Sequence, residues 1–251
     1  MPYTIQLAEV GHIPQIVAIV NREAQRSTAT AAFIDEPVER WASSYLTHHH
    51  RLPWLVSIDS DQAQGEQVMA FAKGSHYNPR EGFQWSVELS IYVKPTYQGH
   101  GVARKLYTRL FHLLSVQGFH RVYARIALPN PASQGLHEHF GLTQTGLLPD
   151  FAWKFGRWYD VAIYTGSLSS TSQRIHSAAQ SNRDAHHTPS QAPSMAPHVT
   201  DSGQPPQTLS VLEGWRLLEL DERQTCHESP EPSQLTTTQE HAQEWSKRDL
   251  K

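Results

Sequence analysis

One cysteine, Cys226, stands in 251 residues, so neither an intrachain disulfide nor a thiolate zinc cage can form. Basic charge is scarce too: 21 Lys and Arg face 24 Asp and Glu, a formal net charge of -3. Phosphate polymers are held by basic surfaces, which argues against nucleic acid as a partner. Long apolar runs are missing. The start, MPYTIQLAEV, has no basic flank and no apolar core, and the longest aliphatic run near it is Ile16 to Val20. The expectation is a cytoplasmic chain with no signal peptide and no membrane contact.

Aromatic residues are nearly absent from the last third. Of 24, only Trp215 and Trp245 lie beyond residue 167, whereas 7 of the 16 prolines do. Residues 167–251 carry 7 Lys and Arg against 11 Asp and Glu. A stretch so poor in large apolar side chains cannot bury enough surface to offset its chain entropy. The chain therefore divides into a folded domain, 1–166, and a mostly disordered acidic tail, 167–251, whose removal after Gly166 should leave activity largely intact. Within the tail an apolar island spans 209–220, where Leu209, Leu212 and Trp215 share a helical face despite Gly214. Whether it docks is left open.

Residues 1–166 alternate between strand and helix periodicity. Thr4 to Ala8 reads as a strand, and Ile13, Ile16, Val17 and Val20 repeat at helical spacing. Pro53 to Asp59 and Gln67 to Lys73 read as a hairpin joined by polar residues 60–66. Trp85 to Val93, rich in Val, Ile and Tyr, reads as a central strand. Val102, Leu106, Leu110, Leu113 and Leu114 then mark an amphipathic helix closed by Gly118. Strand Arg121 to Ile126, a short helix Ala132 to Phe140, and strands near Phe151 to Phe155 and Tyr159 to Thr165 complete an α/β domain.

Three features of that domain carry chemistry. Gln98-Gly99-His100-Gly101-Val102-Ala103 joins a strand to a helix, where backbone amides and the positive helix end suit a pyrophosphate. A plain turn is the alternative. Glu88 lies alone in an apolar strand, aimed either into a cleft or at a surface partner. Asn130-Pro-Ala-Ser133 opens the second helix, which carries His137. His48 to His50 reads as a polar helix end, since adjacent histidines point apart, and no metal is expected.

With these residues in place, the chain resembles the GCN5-related N-acetyltransferases, whose motif Gln/Arg-x-x-Gly-x-Gly/Ala is matched by Gln98, Gly101 and Ala103. Glu81-Gly-Phe83, Val87 to Val93, Asn130-x-x-Ser133, Gly135-Leu-His137 and Lys154 to Asp160 make it similar to the branch that acetylates phosphinothricin, methionine sulfoximine and methionine sulfone. The resemblance covers about residues 3–165. It implies a mixed central sheet flanked by helices and acetyl-CoA as co-substrate. It also implies contacts to that co-substrate from Ile91, Tyr92, Val93, Gln98 to Ala103, Asn130 and Ser133. Glu88 would then take the amine proton, a bulge on its strand would expose amides to the thioester carbonyl, and His137 would act as acid, touch substrate or merely pack.

The acceptor side, by the same resemblance, comprises His76, Tyr77, Asn78, Arg80, Phe83 and Ser86. An arginine there grips a carboxylate and the aromatics wall the side chain. One kind of relative has Trp-Arg where this chain has Tyr77-Asn78, and the arginine of this loop is displaced to Arg80. The expected reaction is acetylation of the amine of a small amino-acid-like compound, and a homodimer stays open. The rivals are a protein or peptide N-acetyltransferase and a non-catalytic acyl-CoA sensor.

Overall fold

The computed structural model describes residues 3–59, 67–168 and 208–227. Seven strands form one sheet in the order β1-β2-β3-β4-β5-β7-β6. They are β1 Tyr3–Leu7, β2 Trp54–Asp59, β3 Gln67–His76, β4 Ser86–Val93, β5 Arg121–Ala127, β6 Thr143–Lys154 and β7 Arg157–Ser167. Pairing is antiparallel except between β4 and β5. Among the described residues five α-helices accompany it: α1 Ile13–Arg26, α2 Val38–His48, α3 Val102–Val116, α4 Pro131–His139 and α5 Val211–His227.

Alternation along the strands sorts side chains onto two faces, and each face has its own core. Leu55, Val87, Leu89, Val122 and Ala124 pack under α3, which supplies Leu106, Leu110, Leu113 and Leu114. On the opposite face Val56, Ile58, Val68 and Phe71 meet Ile13, Ile16, Val17 and Val20 of α1 and Tyr45 of α2. Helix α2 is an element that the sequence pattern did not reveal beyond its histidine end. Strand β6 also begins earlier than expected, at Thr143, and breaks register between Leu148 and Ala152.

The parallel ladder between β4 and β5 holds only from Ser86–Arg121 to Glu88–Tyr123. Strand β4 continues to Val93, in unbroken register with β3 from His76–Val87 to Ala70–Val93. The interruption expected on the central strand is therefore no register shift against β3. It is the loss of the neighbour: among the described residues no strand pairs with the β5-facing edge of β4 beyond Glu88.

The compact unit runs from Met1 to Leu218 and so takes in the first part of α5. Val211 and Leu218 are buried, whereas Leu212 is exposed and Leu209 borders on it. The buried stripe is thus Val211, Gly214, Trp215 and Leu218, not Leu209, Leu212 and Trp215. Gly214 explains the shift: a Cβ there would lie 2.9 Å from Leu113 and 3.0 Å from Gln117, so glycine is what lets α5 approach α3. The Arg109 guanidinium lies 4.8 Å from the centre of the Trp215 ring. The Gln117 amide donates to the carbonyls of Arg51 and Leu209, at 3.0 and 3.1 Å. The remainder of the tail, 169–207 and 228–251, lies outside the described residues.

This contact changes what truncation should do. A fully buried Val or Leu side chain contributes about 1.5–3 kcal/mol, and each 1 kcal/mol moves the melting temperature of such a domain by about 2–4 °C. A chain ended after Gly166 loses α5 and the buried Leu168. It is expected to melt roughly 5 °C or more below the full chain. Equal melting temperatures in paired calorimetric scans would mean that α5 adds nothing to stability.

Candidate active site

The turn expected to hold the pyrophosphate begins where β4 ends. Gly99 and Gly101 have φ of 78° and 77°, a left-handed conformation that side chains with a Cβ adopt poorly. A Cβ built on either meets nothing within 4 Å, so the backbone there faces open space. Gly101 is the N-cap of α3 and no side chain caps the helix. The first amides of α3 are accordingly available to an anion, and Arg104 and Lys105 add positive charge in the same turn. The Gln98 amide donates to Val93 O at 3.2 Å, and the exposed His100 ring lies 2.8 Å from Gln98 O through Nδ1. These bonds tie the turn to the end of β4.

Ile91 and Val93 lie on the α3 face and pack on its core. The Tyr92 side chain turns the other way, stacked on Phe71, and its hydroxyl donates to Ala29 O at 3.0 Å. Burial pushes that phenol up to about 12. Tyr92 thus has only its backbone to offer a ligand at the open strand edge. Asn130 caps α4, its side-chain oxygen accepting from Ser133 N at 3.1 Å.

His137 is buried beneath α4. Its Nδ1 lies 2.8 Å from Ser133 O and its Nε2 3.0 Å from the Tyr107 hydroxyl. Nδ1 carries the proton in this arrangement and Nε2 accepts from the phenol, since a carbonyl can only accept. Burial lowers the pKa of the ring and favours this neutral form. Both nitrogens are thereby committed to protein groups.

The expected general base lies on the face opposite α3. Glu88 sits between the buried Val87 and Leu89, so its carboxylate projects onto that face. Arg125 reaches it from β5: Nε donates to Oε1 at 2.9 Å and Nη2 lies 2.9 Å from the same oxygen. Oε2 takes neither bond. The Glu88 hydrogen bond raises the guanidinium pKa further. Tyr123, in register with Glu88, lies 4.9 Å ring to ring from Tyr77, which meets Phe83 at 5.4 Å.

Other expected acceptor residues are spread around this cluster. Asn78 accepts from Arg80 N at 3.0 Å within the loop, and Arg80, the N-cap of a 3-10 turn over Glu81–Phe83, is exposed. His76 meets the His48 ring at 5.0 Å, and burial lowers its pKa, helped by His48 and Arg51. Ser86 shares the Glu88 face at the start of β4. Among the described residues no group of three His, Cys, Asp or Glu is arranged to hold a metal ion.

Lys73 and Arg125 are the residues that sequence reasoning missed. Lys73 pairs with Ser90 on the Glu88 face, its ammonium 4.5 Å from the Trp54 ring centre and 4.8 Å from that of Trp41. Burial lowers its pKa to about 8 against the opposing pull of Glu88. The signal for Arg125 was the alternation of β5, where Arg121, Tyr123 and Arg125 oppose buried Val122, Ala124 and Ile126. A strand with one polar face beside a lone strand glutamate marks a lined cleft.

The pattern of the acetyltransferase (GNAT) family matches residues 18–142. A phosphinothricin N-acetyltransferase of Streptomyces coelicolor is 37% identical over 49% of this chain and 77% of its own length. The L-methionine sulfoximine/L-methionine sulfone acetyltransferase of Pseudomonas aeruginosa is 35% identical over 68% of this chain and 98% of its own. In three dimensions, a phosphinothricin acetyltransferase from Sinorhizobium meliloti, solved with acetyl-CoA, superposes with a TM-score of 0.62 at 26% identity, covering 66% of this chain and 89% of the other. Strand β4 parting from β5, the glycine turn before α3 and these likenesses together make the chain a member of the GNAT acetyltransferase family.

Proposed function

We propose that the protein transfers an acetyl group from acetyl-CoA to the amine of a small amino-acid-like acceptor, of the phosphinothricin or methionine sulfoximine and sulfone kind. The observation that carries this reading is the placement of Glu88. Its carboxylate lies on the face opposite α3, bonded to Arg125 through Oε1, at the point where β4 parts from β5.

Acetyl-CoA supplies the activated acetyl thioester. The turn Gln98 to Ala103 holds its pyrophosphate through backbone amides, and the edge of Ile91, Tyr92 and Val93 takes the pantetheine arm and polarises the thioester carbonyl. Asn130 and Ser133 border that arm from α4. An amine attacks only as the neutral base, and Glu88 Oε2 accepts its proton. His137, with both nitrogens occupied by Ser133 and Tyr107, positions α4 against α3, and CoA departs as the thiolate, taking its proton from solvent.

The contacts among Tyr77, Phe83 and Tyr123 favour a compact acceptor pocket over the open groove that a peptide needs. Thiol release from acetyl-CoA, followed across amino acids, their analogues and peptide amines, tests the proposal. Turnover of phosphinothricin or methionine sulfone is expected. Turnover confined to peptides would select the protein acetyltransferase, and CoA binding without turnover would select the sensor. A homodimer has as its candidate surface the exposed row Leu147, Phe151, Trp153, Phe155 and Trp158 on the β6–β7 hairpin, and sedimentation of the full chain reads it.

A further inference from the structure

Arg125 is bound to the expected proton acceptor, yet a structural ion pair does not account for its whole geometry. Its side chain remains 54% exposed while Glu88 is 21% exposed. Two of its nitrogens, Nε and Nη2, converge on one carboxylate oxygen. A guanidinium has five N–H donors in a planar fork, so Glu88 engages only part of it. The rest lies on the acceptor face, two residues along β5 from Tyr123, which packs against Tyr77. Glu88 and Arg125 thus place a proton acceptor and a carboxylate receptor side by side.

We infer that Arg125 receives the carboxylate of the acceptor and so selects α-amino acids over simple amines. An α-amino acid carries its amine and carboxylate on one carbon, and the Glu88–Arg125 pair presents complementary groups at matching closeness. With the carboxylate on the outward edge of Arg125, the amine is brought to Glu88 Oε2 and the side chain lies over Tyr123 toward Tyr77 and Phe83. Arg125 is better placed for this than Arg80. It stands on a paired strand, opposite Ile163 of β7, whereas Arg80 belongs to an exposed loop. The ion pair also holds the guanidinium in position before substrate arrives, so little ordering entropy is lost on binding.

This inference rests on the small amino-acid acceptor proposed above, and the test separates the two. The full-length enzyme is assayed with L-methionine sulfone and with its carboxamide, which keeps the amine and loses the charge. Wild type is expected to prefer the free acid. Arg125→Ala should raise KM for the free acid by about 10- to 100-fold, the span of a lost hydrogen bond to a charged group. KM for the carboxamide should stay within about twofold, and Arg125→Lys, which keeps the charge without the fork, should recover part of the loss. Turnover of the carboxamide also reports that each variant is folded.

If wild type uses acid and carboxamide equally well, the acceptor reading stands and the role of Arg125 is overturned. It is overturned as well if Arg125→Ala lowers kcat on both compounds and leaves both KM values unchanged, because the arginine would then act only by positioning Glu88. If wild type acetylates neither compound, the small amino-acid acceptor itself falls, and the selection by Arg125 with it.

Discussion

Glu88→Gln is expected to cut acetyl transfer by roughly 10²- to 10⁴-fold, the usual contribution of a positioned general base. Glutamine keeps the shape of the side chain and can accept from Arg125 through its amide oxygen, but it cannot take a proton from an amine. The loss should fall on kcat, with acetyl-CoA binding unchanged, because the donor turn lies beyond the far end of β4. Nor should the fold suffer, because the glutamine oxygen still accepts from Arg125 where Glu88 Oε1 does. A second consequence is electrostatic. Glu88 is the charge that opposes the burial effect on Lys73, so its neutralisation should move that lysine further below its present value of about 8. Turnover within a few-fold of wild type would mean that water takes the proton and that the glutamate serves the sheet.

Gly101→Val is expected to weaken acetyl-CoA binding by roughly 10²-fold or more. The cause is conformational before it is steric, because a Cβ at 101 meets no protein atom within 4 Å. At a φ of 77° a β-branched residue is strained, so the turn must rearrange and the first amides of α3 lose their common aim. Losing two charge-assisted hydrogen bonds worth about 1.5–3 kcal/mol each gives an effect of this size. The new side chain also fills the space that the backbone leaves open to a ligand. Calorimetry is the test: a folded Gly101→Val protein that binds acetyl-CoA as wild type does would remove the turn from the donor site.

Legibility in the sequence followed the range of the interaction. The turn before α3 was plain because Gly99 and Gly101 punctuate it locally, and β4 was plain because its apolar residues alternate about Glu88. Helix α2 was not, since only Val38, Trp41, Ala42 and Tyr45 of its eleven residues pack on the core, and Leu46 lies exposed among Ser, Thr, His and charged residues. Strand β6 hid for a similar reason, opening on Thr143-Gln-Thr-Gly146. In α5, Gly214 looked like an interruption, and only packing reveals it as the contact itself. The bond between Glu88 and Arg125 spans 37 residues and depends on a parallel register that no local pattern encodes. For the same reason Arg125 was absent from the expected acceptor residues.

The two ends of residues 169–207 return to neighbouring places. Leu168 N donates to His120 O at 3.1 Å, and Leu209 N to Gln117 O at 2.9 Å, both just past the end of α3. The intervening span therefore closes a loop on the domain, and α5 is a ligand delivered by its own tether. The entropy of closing such a loop grows only with the logarithm of its length, about 0.6 kcal/mol per doubling. Cutting the span once removes that closure. Helix α5 would then meet α3 as a separate chain at its bulk concentration and not as part of the same molecule, so a single break in the connecting sequence removes the advantage of intramolecular docking without touching a residue of either helix.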